Sequence, residues 1–293
     1  MKRFMWLLII PLISLMSCSK DDDSASDTTP APSNPSGSNI GTPTGTYTKM
    51  ALLEYHTAAW CGSCPDAFVK RDQVMANFSG RVIPVEIHQS DAMQIPLFMT
   101  IDATFTSNPA YGMINRVPSL GNVLLNRTQW MSNTTTQLAQ PAKCGLAVKS
   151  SVSGSSLSIE VQAAFKEALS GNHNLTVYLI ANEITGSGST YDQVNSYNAD
   201  PSSPYYNLGN PISGFRHRYV VRKVLSANMG DAIDASVLIP GGLLKRNFTA
   251  DITGYDAAGL YVVAFVNKTG TSSTTHEVLN ACMAKAGTLQ DWK

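Results

Sequence analysis

Thr57-Ala58-Ala59-Trp60-Cys61-Gly62-Ser63-Cys64-Pro65 is the stretch whose reading decides the fold. Before it runs Met50-Ala51-Leu52-Leu53-Glu54-Tyr55, apolar enough for a buried strand. After it, Phe68, Val69, Val74, Met75 and Phe78 recur at helical spacing. A strand, a Trp-Cys-x-x-Cys turn and a helix together suit thiol–disulfide exchange. Cys61 falls at a helix N-terminus, where the macrodipole and free N–H groups stabilise a thiolate. Cys64 lies one turn along, within reach of a mixed disulfide on Cys61. Pro65 fits the first helical turn, where its missing N–H has no intrahelical partner.

A Cys-x-x-Cys pair is also half of a zinc site, but zinc needs two further ligands at matching spacing. Cys144 and Cys282 each stand alone. No metal and no organic cofactor is therefore expected, the redox group being the Cys61–Cys64 disulfide itself. Val82-Ile83-Pro84-Val85-Glu86-Ile87-His88 reads as a second strand, nearly continuous in apolar character as parallel strands are. His88-Gln89-Ser90-Asp91 closes it at the end where sites gather in such sheets. Asp91 to Arg116, rich in Met, Phe and Ile, predicts one or two helices over the active-site face. Thr128 to Gln140 predicts a closing helix anchored by Trp130, Met131 and Leu138. Residues 47–141 thus read as an α/β unit.

From residue 142 the pattern changes to alternating stretches bounded by turn residues. They are Cys144–Ser151, Leu157–Phe165, Leu175–Glu183, Arg218–Ser226, Asn247–Thr253, Leu260–Asn267 and Glu277–Met283. Strands of that length with little helical pattern between them predict an antiparallel β-sandwich over 142–286, and 287–293 are left as a C-terminal tail. Cys144 and Cys282 fall on its first and last strands. They either bridge those strands or remain two buried thiols. The long gap from Ile184 to Phe215 carries Tyr191, Tyr197, Tyr205 and Tyr206 among Gly, Ser, Asn and Pro. It is either a loop for a protein or glycan ligand, or an insertion pinned by its tyrosines.

The first residues are not part of this fold. Lys2 and Arg3 precede thirteen uncharged, mostly apolar residues, Phe4 to Met16, too short a run for a bilayer-spanning helix. Leu15-Met16-Ser17-Cys18 resembles a lipobox, which implies cleavage after residue 17 and acylation of Cys18. Several acyl chains anchor durably where one does not. Residues 18–46 then read as a disordered tether, since Ser, Thr, Pro and Gly cannot bury enough surface to order themselves. The acidic run Asp21-Asp22-Asp23 resembles a surface-export tag and equally fits a solvated linker.

The chain has 21 basic and 21 acidic residues, and loss of Lys2 and Arg3 leaves 19 against 21, a net charge of −2. Nothing in that balance points to nucleic acid.

The combination resembles the outer-membrane lipoproteins of Gram-negative anaerobes called the twenty-eight-kilodalton outer-membrane protein family. The residues that carry the likeness are Leu53-Glu54-Tyr55-His56-Thr57 leading into Trp60-Cys61-Gly62-Ser63-Cys64-Pro65, the strand ending in His88, Val117-Pro118, and Phe215-Arg216-His217-Arg218-Tyr219-Val220. The resemblance implies an α/β thioredoxin-like domain followed by an all-β immunoglobulin-like sandwich in the outer membrane. It also implies a cis-proline at Val117-Pro118, just ahead of the apolar Val123-Leu124-Leu125, lying against the active-site sulfurs. One residue departs from the thioredoxin pattern. The buried acid six positions before the first cysteine is replaced by Tyr55, and Glu54 at seven would point to the opposite face of a regular strand. A bulge could turn Glu54 inward, or the chemistry proceeds without it, with His56 and His88 as alternative proton carriers or plain surface residues.

Two functions follow. In the first, the protein is an envelope thiol–disulfide oxidoreductase acting on protein thiols or disulfides. Cys61 is then the attacking thiolate, Cys64 the resolving thiol and Pro118 the shaper of the groove, with Trp60, Glu54 and Val117 in support. In the second, Cys61–Cys64 is static and the protein is a non-enzymatic binding or scaffold lipoprotein.

Overall fold

The structure is a computed structural model that describes residues 34–35 and 39–293. The apolar runs on either side of the Cys-x-x-Cys turn become β2 (Ala51–Thr57) and β3 (Val82–His88), every residue of both being buried. They pair in parallel without a break, from Ala51 opposite Val82 to Thr57 opposite His88. Between them crosses α1 (Cys64–Asn77), which carries Pro65 in its first turn and buries Phe68, Arg71, Val74 and Met75. Then follow α2 (Leu97–Phe105), β4 (Tyr111–Ile114), β5 (Leu125–Asn126) and α3 (Trp130–Leu138). β4 is antiparallel to both β2 and β5, which gives the strand order β3-β2-β4-β5.

All seven strands expected after residue 142 form. They are β6 (Cys144–Ser153), β7 (Ser156–Phe165), β8 (His173–Ala181), β9 (Val220–Val224), β11 (Leu243–Asp251), β12 (Leu260–Lys268) and β13 (Val278–Lys285), with short β10 (Asp231–Ala232) and β14 (Thr288–Gln290) besides. One sheet has the order β1-β14-β6-β7-β11, where β1 is Asn34–Pro35. The other runs β13-β12-β8-β9-β3-β2-β4-β5. Its β9 is antiparallel to β8 and parallel to β3 through Glu86 and Val220. The sheet therefore passes unbroken, through the β3–β9 pairing, from the α/β half into the all-β half.

Alternation along β8 and β12 serves two cores at once. Val177, Leu179, Val262 and Ala264 face β6 and β7, packing with Leu146 and Val161. Tyr178, Ile180, Val263 and Phe265 face the other way, into a core shared with Leu52, Tyr55, Ile83 and Trp130. Each fully buried Leu, Ile, Val or Phe stabilises the fold by roughly 1.5–3 kcal/mol relative to leaving it exposed. The curled sheet brings β13 back over β2: Asn280 Oδ1 accepts from Met50 N at 2.8 Å and Asn115 O from Val278 N at 2.8 Å.

Two expectations need correction, and one open alternative is decided. The tail 287–293 is not loose, because β14 pairs with β6 and Lys293 exchanges backbone hydrogen bonds with Leu146. The end of the expected tether is held too, with Trp292 Nε1 donating to Gly41 O at 2.7 Å and Gly41 N to Asp291 Oδ1 at 3.1 Å. Cys144 and Cys282 are both buried free thiols. The leader, Cys18 and the acidic run lie outside the described residues. Among the described residues no helix is long and apolar enough to cross a membrane.

Candidate functional site

Cys61 and Cys64 are joined by a disulfide at the N-terminus of α1, with Cα atoms 5.4 Å apart. The turn is closed by Cys61 N donating to Ala58 O at 3.0 Å and Cys64 N to Cys61 O at 3.1 Å. Asp91 anchors it from the end of β3. Its Oδ2 accepts from Ala59 N at 2.9 Å and lies 2.7 Å from His88 Nδ1, while Oδ1 accepts from Met93 N. Burial alone would raise the Asp91 pKa, but the bonds from His88, Ala59 and Met93 hold it below the ordinary carboxylate value. Trp60 is 45% exposed and donates its indole N–H to Gln89 O.

The sulfurs are covered. Cys61 is 5% and Cys64 0% exposed, because residues 193–196 of the long loop lie across the turn. Val194 N donates to Ala59 O at 2.7 Å and Ser196 N to Gly62 O at 3.0 Å. The Gln193 amide donates to Cys61 O at 2.9 Å and reaches Ala58 O at 3.3 Å. Asn195 holds this strap to the rest of the loop through Tyr205 O and Gly209 O. Gly62 is needed where the two meet, since a Cβ there would run into the Ser196 side chain.

Pro118 is not part of the site. Among the described residues the one cis peptide is Asn210–Pro211, so Val117–Pro118 is trans. β4 runs antiparallel to β2 with Gly112 opposite Tyr55 and Ile114 opposite Leu53, and Asn115 N then donates to Leu52 O. Val117 and Pro118 therefore lie past the start of β2, at the opposite end from Cys61. The backbone that meets the cysteine end of β2 is Pro109–Ala110, with Ala110 N donating to His56 O at 2.8 Å.

Glu54 is likewise committed elsewhere. β2 is regular, so Glu54 faces away from α1 and forms a two-point ion pair with Arg116, Nε to Oε2 at 2.6 Å and Nη2 to Oε1 at 2.7 Å. The Arg116 guanidinium sits over the rings of Phe105 and Phe265. Tyr55, six before Cys61, faces α1, and its hydroxyl bonds Arg71 at 2.7 Å and Glu86. The buried carboxylate on the α1 face is thus Glu86, supplied by the neighbouring strand. Burial would raise its pKa, but hydrogen bonding to His88 and Tyr55 and the charge of Arg71 hold it low.

Neither histidine is a surface residue. His56 is fully buried with no hydrogen-bond partner at either nitrogen, and burial lowers its pKa to about 4. Burial would lower His88 also, but its bonds to Asp91 and Glu86 outweigh this and raise it. The reading from sequence missed Glu86, Arg71, Asp91, Gln193 and His217. The Phe215-to-Val220 stretch and the polar residues closing β3 were the available signals.

Residues 101–290 match the family described as Outer membrane protein Omp28. The chain belongs to this family. The match takes in the strap and His217 and begins after Cys64. A solved structure, HBP35 of Porphyromonas gingivalis, is similar with a TM-score of 0.65 and 19% identity over 82% of this chain and 76% of that one. At that identity the likeness shows the fold alone, a mixed α/β chain dominated by sheets with few helices. A protein of Agrobacterium tumefaciens is more distantly similar, with a TM-score of 0.46 and 12% identity over 80% of this chain and 92% of that one. No curated protein matches the sequence. The Omp28 family name points to the outer membrane.

Proposed function

We propose that this Omp28-family member is a thiol–disulfide oxidoreductase of the cell envelope, working through Cys61 and Cys64. The observation that carries the reading is the Cys61–Cys64 disulfide at the N-terminus of a helix that joins two parallel strands. The strand order β3-β2-β4-β5 with helices after β2, β3 and β5 supports a thioredoxin-like unit over 47–141. The facing sheets around the second core support an immunoglobulin-like sandwich over 142–286. Acylation of Cys18 remains part of the proposal as the anchor to the outer membrane.

In the reduced form the Cys61 thiolate attacks a substrate disulfide, releasing one substrate thiolate and forming a mixed disulfide. The Cys64 thiolate then attacks the Cys61 sulfur, releases the second substrate thiol and regenerates the Cys61–Cys64 disulfide. Protons come from solvent, and a donor dithiol must reduce the pair again. Hydrogen bonding to His88 and the charge of Arg71 hold the Glu86 pKa low against its burial, which suits Glu86 to fixing the charge of the site more than to carrying the proton. A substrate strand would pair with Ala59 O and Gly62 O, which the strap now occupies, so the strap must move for turnover.

That same strap favours the second reading, a non-enzymatic platform on which the disulfide is static. Turnover separates the two. Wild type should reduce a mixed-disulfide peptide with dithiothreitol as donor, and Cys61→Ala should not. A wild type no faster than Cys61→Ala would leave the platform reading.

A further inference from the structure

The end of β3 and the segment entering β9 bring Glu86, His88 and His217 together, each at most 2% exposed. One donor atom from each lies within 4.8 Å of the other two. Their other polar atoms are already engaged. His88 Nδ1 is bound by Asp91 Oδ2 at 2.7 Å, which leaves Nε2, 3.4 Å from Glu86 Oε2. Glu86 Oε1 takes Arg71 at 2.6 Å and the Tyr55 hydroxyl, which leaves Oε2. His217 Nε2 donates to Tyr191 O at 2.8 Å, which leaves Nδ1 as a bare acceptor. That nitrogen is buried and has no hydrogen-bond partner.

From this arrangement we infer that Glu86 Oε2, His88 Nε2 and His217 Nδ1 form a binding site for a divalent transition-metal ion of the zinc class. Two imidazoles and a carboxylate are a donor set that such ions take, with a further position left open. Each imidazole already has the outer partner that metal-bound histidines keep: a carboxylate, Asp91, for His88 and a backbone carbonyl, Tyr191 O, for His217. Those partners fix which ring nitrogen turns inward. The 3.4 Å between His88 Nε2 and Glu86 Oε2 is about the edge of a tetrahedron with bonds of about 2.1 Å. The donor atoms of the three residues lie within 4.8 Å of one another, so a shift of up to about 1.4 Å brings the set to that edge length.

The charge around the site tolerates a cation. Arg71 contacts Glu86, but Asp72 binds that guanidinium at 2.8 Å and Asp91 adds a third carboxylate. Arg218 lies beyond, 3.7 Å from Asp72. A cavity of about 350 Å³ has Glu86, Arg71, Phe215 and Arg218 in its wall. Neither Cys61 nor Cys64 takes part, so the inference does not rest on the redox reading.

The test uses the full chain with its Cys61–Cys64 disulfide oxidised, freed of metal with a chelator and dialysed against Zn²⁺. Wild type should retain one ion per chain, and a folded His217→Phe variant should bind roughly 100-fold or more weakly. X-ray absorption of zinc-loaded wild type needs no variant. It should give a first shell of nitrogen and oxygen with imidazole scattering. A wild type that retains no zinc, a folded His217→Phe that binds as tightly, or a sulfur in the first shell would each overturn the assignment.

Discussion

Gln193 Nε2 donates to Cys61 O at 2.9 Å, tying together residues 132 apart in sequence. The bond makes the long loop part of the Cys-x-x-Cys turn. A covalently attached segment competes at a high effective concentration with any partner that would pair with the same carbonyls. Accessibility of the disulfide is therefore set by how firmly the strap is held.

Gln193→Leu removes the amide that reaches Ala58 O, Cys61 O and Val194 O. Its net loss should be about one hydrogen bond, about 1.4 kcal/mol, so strap opening should become about tenfold more frequent. A time course of dithiothreitol reduction, quenched with an alkylating agent and read by mass, should show about tenfold faster loss of the disulfide. An unchanged rate would mean that the strap does not guard it.

Arg116 and Glu54 are both buried to within 1% of full burial, so breaking their pair leaves a charge without compensation. Arg116→Met should cost about 3–5 kcal/mol in urea unfolding. Adding Glu54→Leu should recover most of that, because the second change removes the stranded carboxylate. A double variant no more stable than Arg116→Met alone would contradict this account.

His56 sets part of the acid sensitivity. Its folded pKa of about 4 lies below the unfolded value near 6.5, so between them the unfolded chain binds the extra proton. The neutral buried ring is tolerated fully above pH 6.5, and stability falls as pH drops through the window toward 4. The loss should be roughly 2 kcal/mol by pH 5 and about 3 kcal/mol by pH 4. Urea midpoints of wild type and His56→Phe should diverge by that amount over the window. Parallel pH profiles would show that His56 is not the group responsible.

Cys144 and Cys282 are fully buried, and burial pushes both thiols up to about 12. Iodoacetamide at pH 8 should leave Cys144 and Cys282 of the native, unreduced protein unmodified. In denaturant without reductant the same reagent should modify Cys144 and Cys282 and neither Cys61 nor Cys64. Absence of adducts at Cys144 and Cys282 would restore the bridge.

Much of the fold was legible because burial writes itself into local pattern. The continuous apolar character of residues 51–57 and 82–88 announced parallel strands, and the alternation after residue 142 announced the rest. The shared sheet was not legible, since one parallel register at Glu86 and Val220 leaves no periodicity. Pro118 was misplaced because β4 is only four residues long and Tyr111-Gly112-Met113-Ile114 does not stand out, which hid Pro109 as the proline ahead of that strand. Glu86, His88 and His217 come together by topology, the two histidines lying 129 positions apart in sequence, so no spacing rule could have joined them. The strap is invisible for the same reason, although its aromatic and polar composition marked the loop for attention.

The central claim is that Cys61 and Cys64 turn over. The most direct measurement is the steady-state reduction of a mixed-disulfide peptide by dithiothreitol, with full-length wild type, Cys61→Ala and Gln193→Leu side by side. Catalysis by wild type, none by Cys61→Ala and faster catalysis by Gln193→Leu is the predicted result. Equal, uncatalysed rates in all three would contradict it and make the disulfide a fixed part of the fold.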